Sequence, residues 1–191
     1  MSINLEKGQK ISLSKDGAGL NRVAMGLGWD SIKKKSFMGF GGGSVDVDLD
    51  ASCLMFDGDR MTDVVWFRQL KSKDGSIVHS GDNRTGDGDG DDETINVDLN
   101  RVPANVTALI FTVSNFTGQN FSQVENAYCR LVDLSNNSEI AKYNLSAQGN
   151  HTGQILAKLY RHNGAWKMHA IGENGAGRTF DDMMPQIKAY L

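Results

Sequence analysis

The stretch QILAKLYRHNGAWKMHAI, residues 154–171, contains the strongest fold signal in the sequence. Asn163 and Gly164 stand between two runs rich in apolar and aromatic residues, Gln154 to Arg161 and Trp166 to Ile171. An Asn-Gly pair readily supplies the two positive φ angles of a type I′ turn, whose twist matches that of two antiparallel strands. The stretch therefore predicts a β-hairpin.

Short runs of the same kind recur along the rest of the chain, separated by clusters of Gly, Asn, Asp and Ser. Many are rich in Val, Ile, Phe, Thr and Tyr, the residues that fit a pleated sheet. These predicted strands are Lys10 to Leu13, Arg22 to Leu27, Val45 to Phe56, Val64 to Gln69, Ile77 to His79, Thr94 to Leu99, Ala108 to Ser114, Ala127 to Asp133 and Glu139 to Leu145. Short helical segments are predicted at Phe121 to Asn126 and at Phe180 to Leu191, the second broken near Pro185.

This pattern predicts an all-β fold, a sandwich of two antiparallel sheets with short helical segments that include a C-terminal helix. The 22 glycines and only 2 prolines suit a chain with many tight connections. A length of 191 residues suits one domain with its own core, residues 1–191. Within it, residues 33–44 (KKKSFMGFGGGS) are predicted to form a flexible surface insertion.

The segment GDNRTGDGDGDDE, residues 81–93, is the strongest functional signal. Between Asp82 and Asp98 stand seven acidic residues and one base, a formal charge of −6 in a chain whose total is −3. Such acids repel one another unless a cation or solvent absorbs the charge. Because the segment offers carboxylate and amide oxygens without Cys or His, it favours Ca²⁺ over Mg²⁺ and over zinc. It is not an EF-hand, since Asp92 stands where that loop needs Gly and no amphipathic helices flank it.

A second acidic pattern, VDVDLD, covers residues 45–50. As a strand, it places Asp46, Asp48 and Asp50 on one face and the apolar residues on the other. Two interpretations stay open. The carboxylates face a cation at the end of a sheet, or the charges protect an edge strand against aggregation.

Composition argues against several classes of protein. A net charge of −3 is unusual for a nucleic-acid binder and gives no attraction to an anionic membrane. No stretch approaches the roughly 18 apolar residues of a membrane-spanning helix, and Met1 to Leu20 has no apolar run, so no signal peptide is predicted. Cys53 and Cys129 lie far apart without a CxxC spacing, which predicts a reducing, cytoplasmic location.

Further motifs span nearly the whole chain: GLGWD (26–30), DLDAS (48–52), DLNRVPANV (98–106), GQNFSQVENAYCRLVD (118–133) and LYRHNGAWKMHAIGE (159–173). Together with the acidic segment, they resemble the TerD family of tellurium-resistance and stress proteins. Residues 33–44 depart from the shortest members and are more similar to the TerZ-like branch.

The resemblance implies a two-sheet sandwich that binds Ca²⁺ through acidic loops. It also implies a non-catalytic role in a bacterial cytoplasmic stress response associated with tellurite resistance, exerted through calcium-stabilised binding to other proteins of that system. Asp87 and Asp89 stand where the family pattern accepts either acid. The other metal ligands that it implies are Asp48, Asp50, Asp82, Asn83, Asp91, Asp92 and Glu93.

Three alternative functions stay open. A hydrolase would use paired carboxylates of the acidic segment, although the sequence has no GxSxG, HExxH or P-loop motif. A thiol-based scavenger would use Cys53 and Cys129, which lie in predicted strands among apolar neighbours, where cysteines are usually inert. A cyclic-nucleotide-like ligand is suggested by the resemblance, because some relatives are described as cyclic-AMP binders, although no Gly-rich loop leads into a helix here.

Overall fold

The computed structural model describes residues 3–4, 8–12, 14–15, 18–33, 44–86, 90–145 and 149–191, and its strands are numbered here in chain order. Sheet I contains β1 (Ile3–Asn4), β5 (Arg22–Asp30), β10 (Ile77–His79), β11 (Glu93–Asp98), β13 (Glu125–Asp133) and β14 (Ser138–Asn144). Sheet II contains β2 (Lys10–Ser12), β8 (Leu49–Asp57), β9 (Arg60–Val65), β12 (Ala108–Asn115), β15 (Gly153–His162) and β16 (Ala165–Gly175). From edge to edge the orders are β1-β14-β13-β5-β11-β10 and β2-β16-β15-β12-β8-β9.

Neighbouring strands in both sheets run antiparallel, except that β1 lies parallel to β14. Two short ladders complete the strands of the described residues: β3 (Ser14–Lys15) with β4 (Ala18–Gly19), and β6 (Ile32–Lys33) with β7 (Ser44–Val45). The predicted sandwich of two largely antiparallel sheets is therefore confirmed. Residues 34–43 of the predicted insertion lie outside the described residues.

The two sheets enclose one apolar core between them. In β11 and in most of β13, buried residues alternate with partly exposed ones, as in a strand with one face on the core. Strands β8 and β12 are instead buried along almost their whole length. The cause is a second apolar cluster, in which Phe180, Met183 and Ile187 pack against the outer face of sheet II.

The hairpin predicted from residues 154–171 is confirmed. Strands β15 and β16 are paired up to His162 and Ala165. Asn163 has φ 52° and Gly164 φ 78°, the two positive values that a type I′ turn requires.

Two predicted strands differ from the observed ones. The run Val45 to Phe56 is interrupted at residues 46–48, because groups outside the sheet bind its backbone. There Trp29 Nε1 donates to the Val47 carbonyl at 2.8 Å, and the Asp48 N–H donates to Thr117 Oγ1 at 3.2 Å. In the predicted run Val64 to Gln69, the strand ends at Val65. The next four residues form a turn, in which the backbones of Trp66 and Gln69 form two hydrogen bonds with each other.

The C-terminal segment is helical, as predicted. A 3₁₀ turn covers Phe180–Met183, and the helix α1 follows at Met184–Lys188. Pro185 lies in the first turn of α1, where its missing N–H is not needed, so α1 begins near the proline. No helix in the described ranges is both long and apolar enough to cross a membrane.

Candidate metal centre

Three carboxylates meet at one end of the sandwich. Asp48 and Asp50 lie just before and within the start of β8, and Asp82 comes from the loop between β10 and β11. One oxygen from each lies within 4.8 Å of the other two. Asp48 is 8% exposed and Asp50 3%, whereas Asp82 is exposed to solvent. Two buried acids from sheet II and one exposed acid from a loop of sheet I thus form the Asp48–Asp50–Asp82 cluster.

Two buried oxygen atoms of this cluster have no hydrogen-bond partner among the residues that the structure describes. They are Oδ1 of Asp48 and Oδ2 of Asp50. A buried polar atom without a partner is costly, and a buried charge costs more unless it is paired or coordinates a metal. Carboxylate oxygens are also the ligands that Ca²⁺ prefers. The residues present therefore fit a hard cation bound at this place.

Burial and mutual repulsion change the acidity of the cluster. Burial, and then the negative charges of Asp82 and Glu93, raise the pKa of Asp48 to about 6. Burial, and then the charges of Asp48, Glu93 and Asp82, raise the pKa of Asp50 to about 8. Without a cation, protons therefore occupy these carboxylates up to near-neutral pH. A metal must displace those protons, so its affinity falls as the pH falls from 8 towards 6.

Glu93 connects the cluster to both sheets. It is the first residue of β11 and is fully buried. Its Oε2 accepts the Ala51 N–H of β8 at 2.8 Å, and its Oε1 accepts the Asn83 N–H of the loop at 3.2 Å. Ala51 lies beyond the last pairing of β8 with β9, at Cys53 and Val65, so a carboxylate takes the place of a strand partner. Glu93 therefore holds the segments that carry Asp50 and Asp82.

His79 adds a third contact to Glu93. The imidazole is completely buried, and its Nε2 lies 3.3 Å from Oε2 of Glu93. Its Nδ1 accepts the Gly81 N–H at 3.0 Å, which places the proton of the neutral ring on Nε2, facing the carboxylate. His79 thus fixes the start of the acidic segment.

Asn83 and Asp92 shape the loop from within. Oδ1 of Asn83 accepts the N–H groups of Thr85 and Gly86, and its Nδ2 donates to Oδ1 of Asp92 at 3.1 Å. The other oxygen of Asp92 accepts the Trp29 N–H at 2.9 Å. In the described part of the loop, these two side chains bind protein groups.

Asp91 is held by an arginine of sheet I. Arg130 of β13 donates through Nε at 2.8 Å and through Nη2 at 3.1 Å to its two oxygens. Such a bidentate pair fixes both the position and the orientation of a carboxylate. Gly26 of β5 pairs with Arg130, and a Cβ added there would overlap the Asp91 carboxylate. Gly26, the first glycine of the GLGWD motif, thus leaves room for this ion pair.

The predicted ligands therefore fall into three groups. Asp48, Asp50 and Asp82 come together, while Asn83, Asp91, Asp92 and Glu93 bind protein groups around them. Asp87 and Asp89 lie outside the described residues. Asp46 is exposed and is not one of the three clustered acids. The roles of His79 and Arg130 were not predicted from the sequence. His79 lies two residues before the acidic segment, and Arg130 lies within the motif GQNFSQVENAYCRLVD.

Comparison with known proteins identifies the family. Residues 1–185 match the family model of the TerD domain. The chain belongs to the TerD family. It is 51% identical to the tellurium resistance protein TerZ of Serratia marcescens over 187 residues, which cover 97% of this chain and 96% of that protein. It is also 42% identical to the stress response protein SCP2 of Bacillus subtilis, over 96% of this chain and 98% of the relative.

A solved structure shows the TerD fold directly. A homologue of the telluride resistance protein TerD from Streptomyces coelicolor superposes with a TM-score of 0.74, over 89% of this chain and 98% of its own. Its sequence is only 22% identical, so the likeness concerns the fold alone.

The two cysteines of this TerD-family chain are completely or almost completely buried, and both are free thiols. Burial raises the pKa of the Cys53 thiol well above its usual range, and burial together with the charge of Asp91 does the same for Cys129. A thiolate is the reactive form of cysteine. The described surroundings of both residues therefore oppose the thiol-based function.

Proposed function

We propose that this protein binds calcium at the Asp48–Asp50–Asp82 cluster. We further propose that it acts, without catalysis, in a cytoplasmic response to tellurite and related stress. The bound ion would neutralise the cluster and hold the acidic loop against the end of the sandwich. The loop surface fixed in this way would then bind other proteins of the same stress-response system, and neither nucleic acid nor membrane insertion is involved.

One observation supports calcium most strongly, namely the two unpartnered oxygens of Asp48 and Asp50. A folded protein rarely keeps buried carboxylate oxygens without a donor. All three clustered side chains offer oxygen only, which suits a hard cation. Since Ca²⁺ takes about six to eight oxygens, Asp87, Asp89, backbone carbonyls and water are expected to supply the rest.

The same surroundings favour calcium over zinc and over hydrolytic chemistry. His79, the histidine nearest to the cluster in sequence, has Nδ1 occupied by the Gly81 N–H and Nε2 facing Glu93 at 3.3 Å, and it is not one of the three clustered residues. Asp92 and Asp91 are fixed by Trp29 and Arg130, which suits a structural frame better than proton transfer. The relatives named for tellurium resistance and stress response support the cellular role.

A comparison of two single substitutions tests the assignment of the site. We expect Asp82→Asn to weaken calcium binding at least tenfold, about 1.4 kcal/mol, because it removes one carboxylate charge from the cluster. Asp46→Asn removes the same charge from an exposed position two residues before Asp48, so its calcium affinity should stay within about twofold of the original, less than 0.5 kcal/mol. Affinity is measured by competition with a chromophoric chelator. Equal affinity in the two variants would place the ion elsewhere.

A further inference from the structure

A separate group of charged side chains lies on the opposite face of sheet II from the core. Lys10 on β2 pairs with His169 on β16, and His169 pairs with Lys158 on β15. Directly paired residues on neighbouring strands project from the same face. Leu159 and Met168, which alternate with Lys158 and His169, belong to the core between the sheets. The three basic side chains therefore form a row on the outer face.

The C-terminal segment closes one side of this row. Lys158 donates from Nζ to the Tyr190 carbonyl at 2.7 Å, and the ring of Tyr190 stands 6.4 Å from that of His169. The ring of Tyr160 lies 5.6 Å from Nζ of Lys158. Together these groups border a cavity of about 280 Å³, which is larger than a phosphate ion needs and suits a small ligand. We call it the cationic pocket.

The described lining of this pocket contains no acidic side chain, although the terminal carboxylate of Leu191 borders it. Lys10, Lys158 and His169 form no ion pair there, and the nearby Glu173 accepts the Tyr190 hydroxyl at 3.2 Å. Lys10 and Lys158 lie on the two strands that flank β16, so their positive charges repel each other across His169. Burial and then the charge of Lys10 lower the pKa of Lys158, and burial, Lys10 and Lys158 lower that of His169. A bound anion would remove this unfavourable arrangement.

We propose that the cationic pocket binds a small dianionic oxyanion, namely a phosphate group. Lysine is a common phosphate ligand in proteins, acting as a point charge. Here Lys10 and Lys158 flank the group from two strands, and the imidazole of His169 donates between them. Tyr160 and Tyr190 provide aromatic walls beside it, so the group can belong to free phosphate or to a small phosphate ester. The site shares no residue with the Asp48–Asp50–Asp82 cluster.

The test is a titration of the ¹⁵N-labelled full chain with inorganic phosphate. The NMR signals of the backbone amides and of the histidine side chains are monitored during the titration. A parallel titration with NaCl at matched ionic strength corrects for screening. We expect saturable shifts centred on His169, Lys158 and Tyr190, with a dissociation constant of about 1 mM or below. Phenyl phosphate should bind more tightly than inorganic phosphate if an aromatic ester is the natural ligand, and equally if free phosphate is.

Two variants and a matched control decide the outcome. Lys158→Met should weaken phosphate binding at least tenfold, and Lys10→Met, at an exposed edge position, should weaken it measurably without disturbing the fold. Lys188→Met removes the same charge from an exposed position on α1 and should keep the original affinity. Shifts that NaCl reproduces, or an affinity that Lys158→Met and Lys10→Met leave unchanged, would overturn the proposal.

Discussion

Excess calcium is expected to raise the thermal midpoint of the protein by about 5–10 °C relative to chelator. A ligand that binds only the folded state stabilises it by about 2.7 kcal/mol at a hundredfold excess over its Kd. In a chain of this size, each kcal/mol corresponds to about 2–4 °C. The effect is large because folding brings Asp48, Asp50 and Asp82 together in a partly buried place, while the unfolded chain spreads the charges apart.

The measurement compares melts in chelator, in NaCl and in excess CaCl₂ at one pH above about 8, because burial and neighbouring charges raise the pKa of Asp50 to about 8 and the repulsion requires ionised carboxylates. Sodium chloride should reproduce only a small part of the shift, since screening acts weakly on buried charges. The double variant Asp48→Asn/Asp50→Asn should lose the response to calcium, and its chelated form should not melt lower, because the repulsion has gone. The same midpoint in calcium and in chelator for the unmodified chain would refute the linkage of calcium binding to folding.

Replacing Glu93 by alanine should be the most damaging single change near the site. The substitution leaves the Ala51 and Asn83 N–H groups without their acceptor and His79 Nε2 without its neighbour. A buried donor left without its acceptor costs about 1–3 kcal/mol, and this substitution leaves two such N–H groups. Calcium affinity should fall as well, because Glu93 positions both Asp50 and Asp82.

The free energy of unfolding in urea, with calcium present, measures this effect. Glu125→Ala removes the same side chain from an exposed position on β13, and its cost should stay below about 0.5 kcal/mol. If Glu93→Ala is as mild as Glu125→Ala, then Glu93 does not connect the two sheets in the way that its contacts indicate.

Much of the fold was predictable because its signals are local. The Asn163-Gly164 turn and the alternation in runs such as Thr94 to Leu99 depend on neighbouring residues alone. The break at residues 46–48 was not predictable, since it depends on Thr117 and Trp29, which are distant in sequence. A strand pattern cannot show which backbone groups a side chain from elsewhere will bind.

The sequence predicts which acidic residues belong to the candidate site, but it does not predict which of them come together in space. Asp91, Asp92 and Glu93 are equivalent acids in the sequence, yet one pairs with Arg130, one binds Trp29 and one is buried. Strand register decides among them, because Glu93 is the first residue of β11 and pairs with Leu27. The ion pair between Asp91 and Arg130 joins residues that are 39 apart in sequence, so no local pattern predicts it. Gly26, the first glycine of GLGWD, leaves the space that the pair needs.

The most direct test of the central claim is a calorimetric titration of the metal-stripped protein with CaCl₂, alongside MgCl₂. Saturable calcium binding with at least one ion per chain is predicted, at least tenfold tighter than magnesium, because clustered flexible carboxylates suit the larger ion. The Asp48→Asn/Asp50→Asn variant should lose this binding. The absence of saturable calcium binding, or its full retention in the double variant, would contradict the assignment of the Asp48–Asp50–Asp82 cluster as a calcium site.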